Sequence, residues 1–313
     1  MGRFASNFIK FKNSLRERGV HKTFIRALKK VSGILDCEEG VETLYYFLNH
    51  YVDITKLPPA TGDLRKLQLC DAVLLSIFDA ICEKQGWQYW LSWGTLLGAV
   101  RHKGFIPWDD DLDICMTRED YNKACNKLPE ILASFGSDSL HCNTSAACIG
   151  LGYEHSKTGI WCDIFPTDKI YAESENDNAL ISRIYKYKKF YAKKGKNLSP
   201  AELDSARSQI INYTGGGYAL HSVEFSIKPL ICKFDIIFPL TKIEFEGYKL
   251  SSPCDSHQYL TKEYGDYMQF PKNGVEHHGG DTRPPLREWA SRSGVNMDEV
   301  LEKLKAIEKF FRS

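Results

Sequence analysis

The sequence predicts a mixed α/β protein, and three observations carry that expectation. From Asp63 to about Lys84, apolar residues recur at helical spacing. Residues Asp111 to Met116 alternate acidic and apolar side chains, the period-two pattern of a strand with carboxylates along one face. Around these two segments the patterns run helix, strand, short helix, strand, helix, strand.

The first 60 residues read as a basic helical extension. Residues 1–30 hold nine Lys and Arg against Glu17 alone, a local charge of +8. The whole chain is +1, so the remainder sums to −7. Phe4, Phe8, Phe11, Leu15, Phe24 and Leu28 recur through this segment at roughly helical spacing. A basic amphipathic segment suits the anionic inner face of a cell membrane; it equally suits a helix packed on the main domain with its charges in water.

Residues 61–313 read as the main domain. After Pro58, Pro59 and Gly62, Asp63 is expected to cap a helix ending before Gly86, with Leu67, Cys70, Val73, Leu74, Ile77, Phe78 and Ile81 as its stripe. Gln88 to Ser92 is aromatic and short, hence a strand. Gly94 turns the chain into a short helix from Thr95 to about His102. Thr117 with Asp120 opens a helix to about Ser134. A Ser-, Thr- and Gly-containing region leads to a strand from Ile160 to Phe165. The Lys-rich insertion 183–196 reads as a solvated helix face, Pro271 to Pro285 as a long loop, and Met297 to Phe311 as a closing amphipathic helix.

Near-neutral charge argues against a nucleic-acid partner. The ten cysteines show no C-x-x-C spacing, which gives no zinc motif and fits a reducing, cytoplasmic setting. The most apolar windows, 72–82 and 229–240, are too short or too interrupted to span a bilayer.

The chemistry concentrates in GTLLGAVRHKGFIPWDDDLDI, Gly94 to Ile114. Asp109, Asp110, Asp111 and Asp113 place four carboxylates in five positions, an arrangement hard to sustain in a low-dielectric site without a cation. On a strand Asp111 and Asp113 project together and form a hard-oxygen site for Mg²⁺ or Mn²⁺, metals that bind carboxylates alongside substrate phosphates. Asp109 and Asp110 are candidates for supporting the metal ligands or the turn. Gly94 and Thr95 sit at a helix start where backbone N–H groups meet phosphate. Arg101 and His102 are candidates for adding positive charge opposite the metal. Asp163, inside the apolar run IWCDIFPTD, is the expected third carboxylate. Tyr264, Gly265 and Asp266 are expected to fix a turn, and His277 and His278 lie in a loop with no ligand spacing.

These residues resemble the LicD family, within the DNA polymerase β-like nucleotidyltransferase fold group. The window above carries the resemblance, with LRKLQLCDAVLLSIFDAICEK before it, and WCDIFPTD and FEGYKLSSPCDSHQYLTKEYGDYMQFP after it. It implies a small mixed sheet with packed helices, Asp111, Asp113 and Asp163 as metal-binding carboxylates, and Gly94 and Thr95 at the nucleotide phosphates. It also implies transfer of phosphocholine or a similar phospho-alcohol from a CDP-linked donor, CDP-choline or a CDP-polyol, to a sugar hydroxyl of a glycan or glycolipid, releasing CMP. Two alternatives stay open: transfer of an NMP group from an NTP, and an inactive glycan-binding protein of the same fold.

Overall fold

The computed structural model describes residues 45–136, 139–174, 176–195, 198–209, 217–221, 223–224, 230–270 and 294–313. The basic segment 1–30, His277 and His278, and the 271–285 loop lie outside the described residues.

The central helix α1 (Asp63–Gln85) follows Gly62 and stops at Gly86, whose φ of 68° lets its N–H reach the Cys82 carbonyl. Asp63 is not the cap: it is the first helical residue, and its charge complements the helix's positive end. From Leu67 to Cys82 nearly every α1 residue is buried, not only the apolar stripe. The sheet covers one side, and the C-terminal helix α7 (Met297–Arg312) packs along another. Val300, Leu304, Ile307 and Phe311 of α7 are buried, as its periodicity predicts. Its Arg312 binds the Ser76 carbonyl at 3.2 Å and Asp79 at 3.2 Å on α1.

The main sheet follows the order β1-β2-β5-β4-β3, with β6 added to β5 and β7 to β6. The strands are β1 (Tyr89–Leu91), β2 (Asp113–Thr117), β3 (Leu140–Asn143), β4 (Ile149–Tyr153), β5 (Trp161–Ile170), β6 (Tyr218–His221) and β7 (Leu230–Lys233). Only β2 and β5 run parallel among these pairs. A separate hairpin joins β8 (Thr241–Phe245) to β9 (Tyr248–Ser252). The strands β3 and β4 occupy the region expected to be irregular, and β5 continues to Ile170, five residues beyond the expected end. Pro166 lies in that continuation. β4 pairs with β5 up to Ile164 and β6 takes over from Thr167, so Pro166 falls between two partners on that side, where its missing N–H costs least.

Helix α2 (Trp93–His102) bridges β1 and the loop before β2, and α3 (Arg118–Ala133) leaves β2 with the Thr117 hydroxyl accepting from the Asp120 N–H. Gly98 of α2 has a steric purpose: a Cβ there would lie 2.4 Å from the Gly104 carbonyl oxygen. The loop carrying the acidic run can therefore close directly onto the helix. The Lys-rich segment lies largely on α4 (Asn178–Lys194). There Arg183, Lys186, Lys189, Lys193 and Lys194 are exposed, Lys188 is half-buried, and Lys196 lies outside the described residues. Leu180, Ile184 and Tyr187 of α4 join Ile170, Leu220 and Ile231 in a second small core. Beside it, α5 (Pro200–Ser208) supplies Arg207 to Glu224, which also accepts from Arg118 and the Tyr187 hydroxyl. The last helix before the undescribed segment is α6 (Ser256–Tyr264). Among the described residues, no helix is long and apolar enough to cross a membrane.

Candidate active site

The parallel pair β2–β5 organises the site. Its register sets Asp113 directly opposite Asp163. One residue before the pair, the Asp163 N–H donates to the Leu112 carbonyl at 2.8 Å. β2 begins at Asp113, later than the alternation predicts, so Asp111 belongs to the preceding loop. That loop is shaped by α1. The buried Gln68 amide donates to the Asp109 carbonyl at 2.8 Å and the Ile106 carbonyl at 3.3 Å, and the Asp109 N–H closes a turn onto Ile106 at 2.9 Å.

The loop and the strand ends bring five carboxylates into one region. Carboxylate oxygens of Asp109, Asp110 and Asp111 lie within 4.8 Å of one another, the one such acidic group among the described residues. Asp111, Asp113 and Asp163 do not form an equally tight set, so the residues expected in support of the metal stand closest together. Asp109 is buried, and its carboxyl is pushed well above the ordinary carboxylate range by burial and then by Asp111, Asp113 and Asp110. Asp113 is pushed up likewise, by burial, then by Asp111 and Asp163. A donor set made only of carboxylate oxygens fits a hard divalent cation such as Mg²⁺ or Mn²⁺.

The start of α2 adjoins this set. A Cβ on Gly94 would lie 2.8 Å from Asp109 Oδ2, so glycine leaves the space that the Asp109 carboxylate fills. Thr95 is buried, and its hydroxyl accepts from the Asp113 N–H at 2.8 Å, tying the helix start to the strand start. Trp93 begins the helix at φ 39°, in the left-handed region that side chains avoid, with its ring against Phe165 at 4.9 Å. Strain of this kind persists where surrounding contacts over-determine it.

Arg101 and His102 lie at the other end of α2. Arg101 is 7% exposed and donates to the Tyr267 carbonyl at 2.9 Å; burial pulls its guanidinium down to about 10, with Asp109 the foremost opposing charge. His102 is pulled down to about 4 by burial and by Arg101, so at neutral pH it is an uncharged imidazole and adds no positive charge. Both its ring nitrogens are buried without a hydrogen-bond partner among the described residues.

Several residues at the site escape sequence reasoning. Asp71 sits one turn beyond Gln68 on α1, fully buried; Oδ1 accepts from the Trp161 N–H at 3.1 Å. Burial drives its carboxyl up, the Trp161 hydrogen bond opposes this, and Asp111 and Asp110 add to the rise. The available signal was a pair of polar residues three apart inside an otherwise apolar helix. Tyr264 closes α6, and Gly265 makes the expected turn at φ 70° with its N–H on the Thr261 carbonyl at 2.8 Å. Tyr264 is 42% exposed as a residue, and its phenol is raised by desolvation, then by Glu263, Asp113, Asp109 and Asp111, so the charge of the acidic set is felt there.

A separate cavity of about 680 Å³ opens at the far end of β2 and β5, lined by Gln88, Arg118, Lys123, Asp168, Lys169 and Phe234 among others. Its charges are largely paired within the protein, Arg118 with Asp168 at 2.8 Å and Lys123 with Asp120 at 2.9 Å.

Comparison with known proteins matches residues 86–209 to the family described as LicD/FKTN/FKRP, nucleotidyltransferase domain. The lipopolysaccharide cholinephosphotransferase LicD of Haemophilus influenzae is 26% identical over 253 residues, covering 66% of this chain and 92% of its own. An uncharacterized protein of Rickettsia typhi is 28% identical over 184 residues, covering 52% of this chain and 54% of its own. The human ribitol 5-phosphate transferase FKRP is 46% identical over 48 residues, 15% of this chain and 10% of its own length. Over residues 86–209 the chain is therefore similar to the nucleotidyltransferase domain of the LicD/FKTN/FKRP family.

Proposed function

We propose that this protein is a phosphotransferase that moves a phospho-alcohol from a CDP-linked donor to a sugar hydroxyl of a glycan or glycolipid and releases CMP. The observation that carries this reading is the meeting of the Asp109–Asp113 carboxylates with the first turn of α2, joined by the Thr95–Asp113 hydrogen bond. The activities for which the Haemophilus influenzae and human relatives are named, cholinephosphotransfer to lipopolysaccharide and ribitol 5-phosphate transfer, support the reaction class.

The residues divide the work by position. Asp109, Asp110 and Asp111 would hold the cation, with Asp113 and Asp163 at its strand side. A divalent cation bound there supplies neutralising charge to the donor's diphosphate and to departing CMP. The α2 N-terminus offers backbone N–H groups to phosphate oxygen. Asp163, across from Asp113 on the neighbouring strand, would share the cation or accept the proton of the attacking sugar hydroxyl.

Incubation of the purified chain with CDP-choline, CDP-ethanolamine, CDP-glycerol and CDP-ribitol, Mg²⁺ or Mn²⁺, and sugar acceptors should release CMP. Asp111→Ala and Asp113→Ala should lower that release on the order of 100- to 1,000-fold. Metal-dependent activity that survives both substitutions rejects the site. The family's nucleotidyltransferase description favours one second reading, transfer of an NMP group from an NTP; pyrophosphate as the released product would select it.

A further inference from the structure

Asp163 faces a steric and electrostatic difficulty that its neighbours resolve. It stands in register with Asp113 on one side, and like charges in register repel. A carboxylate also turns easily about its last torsion, so repulsion alone would swing it away. On its other side the register partner is Gly150 of β4. Trp161 lies two residues before Asp163 on the same strand face, and its indole N–H donates to Asp163 Oδ1 at 2.8 Å. The Cys148 thiol, two residues before Gly150, donates to the same oxygen at 3.3 Å.

Glycine at position 150 is what allows this. A Cβ there would lie 1.8 Å from Trp161 Cζ2, inside the indole. Glycine in a strand interior weakens the strand, so its presence calls for a close approach of this kind. The other end of Trp161 is fixed as well, since its backbone N–H is the donor to the fully buried Asp71 on α1. A buried carboxylate in an apolar helix is costly unless it makes such a bond.

We propose that Trp161 is a positioning residue for the active site, held at its backbone by Asp71 and holding the Asp163 carboxylate through the indole N–H, with Gly150 as the seat of the ring. The proposal rests on the reading that Asp163 belongs to the cation site. Trp161 and Cys148 both hold Oδ1 of that carboxylate, so Asp163 keeps its place beside Asp113. Hydrogen-bond partners behind a metal-binding carboxylate typically govern metal affinity by 10- to 100-fold.

The test is Mn²⁺ titration of the full chain by calorimetry, with the thermal midpoint measured in EDTA. Trp161→Phe keeps an aromatic ring on this face and the backbone bond to Asp71, and removes the indole donor together with part of the ring against Gly150. It should weaken Mn²⁺ binding about 10- to 100-fold with little change of midpoint. Gly150→Ala should weaken binding by displacing the indole, and the Gly150→Ala/Trp161→Phe pair should lose less than the sum of the two, because both act on one contact. Cys148→Ser retains a donor and should bind close to wild type. Asp163→Asn is the reference and should lose affinity. If Trp161→Phe binds within twofold of wild type while Asp163→Asn is weakened, the positioning role is overturned and the place of Asp163 stands. If Asp163→Asn binds as wild type, the underlying reading fails and the proposal falls with it. An affinity loss matched by collapse of the EDTA midpoint assigns Trp161 to packing and also overturns the proposal.

Discussion

The Asp113 backbone N–H donates to the Thr95 hydroxyl at 2.8 Å, so the first turn of α2 and the first residue of β2 are fixed to each other by a side chain. The bond lies at the junction of the proposed phosphate and cation positions. Thr95→Val keeps the shape and leaves that N–H without its partner, which should destabilise the chain by about 1–3 kcal/mol and lower CMP release. Thr95→Ser restores the acceptor and should recover most of both. Urea denaturation alongside the CMP assay checks this; equal stability of the Val and Ser variants would dismiss the bond as a determinant.

Asp113 opposes folding when no cation is bound, because it is pushed toward the neutral form by burial, by Asp111 and by Asp163. Asp113→Asn removes the charge at nearly constant shape. The metal-free variant should melt higher than wild type, by roughly 2–4 °C for about 1 kcal/mol, while CMP release is lost. Scanning calorimetry in EDTA measures the shift, and a lower midpoint would contradict it.

The same physics gives a pH dependence. In the folded chain the carboxyls of Asp109, Asp113 and Asp71 lie well above the ordinary carboxylate range, chiefly through burial. Above the ordinary carboxylate range the folded state therefore holds protons that the unfolded chain, with carboxyls near about 4, has released. Their contribution is fully present below about pH 4 and is lost as the pH rises through the raised folded values. Saturating Mn²⁺ substitutes for those protons and should flatten the loss. Thermal midpoints from pH 5 to 8 with and without Mn²⁺ test this; a cation effect that does not grow with pH would refute it.

The second core depends on a buried ion network. Arg118 binds Asp168 at 2.8 Å and Glu224 at 2.9 Å, both acids fully buried at their side chains, and Arg207 binds Glu224 at 2.8 Å. Arg118→Ala leaves two buried carboxylates short of their cation and should destabilise by about 3–5 kcal/mol, far more than loss of an exposed pair such as Lys123–Glu119. Urea midpoints of Arg118→Ala and Lys123→Ala give the comparison.

Much of this fold was legible from periodicity. The helix at α1, the Thr117 cap of α3 and the amphipathic α7 follow local rules and stand where the sequence puts them, whereas the alternation read from Asp111 gives a strand that begins only at Asp113 and is buried at its three middle positions. The strands β3 and β4 were not legible. β4 reads IGLGY, buried at every position, so it has no polar alternation, and its two glycines resemble a loop. The extension of β5 through Pro166 was hidden by a residue that ordinarily argues against a central strand. At the site, the acidic run itself was unmistakable. Its geometry was not, because the clustering of Asp109, Asp110 and Asp111 depends on Gln68, 41 positions before Asp109. Asp71 and Trp161 were invisible for the same reason: their roles exist only across elements distant in sequence.

The change of partner along β5 has a consequence for how such a domain can diversify. The half of β5 that pairs with β4 carries Asp163, while the half beyond Pro166 pairs with β6 and bears the second core. Among the described residues, those between Ile170 and Leu230 form an appended lobe on that outer half, secured by the Arg207–Glu224 pair and by an apolar centre of their own. The lobe can therefore be lengthened, recharged or rebuilt in the course of evolution while the spacing of Asp113 and Asp163 is preserved. A single strand serves as both the ruler for the chemistry and the graft point for variation.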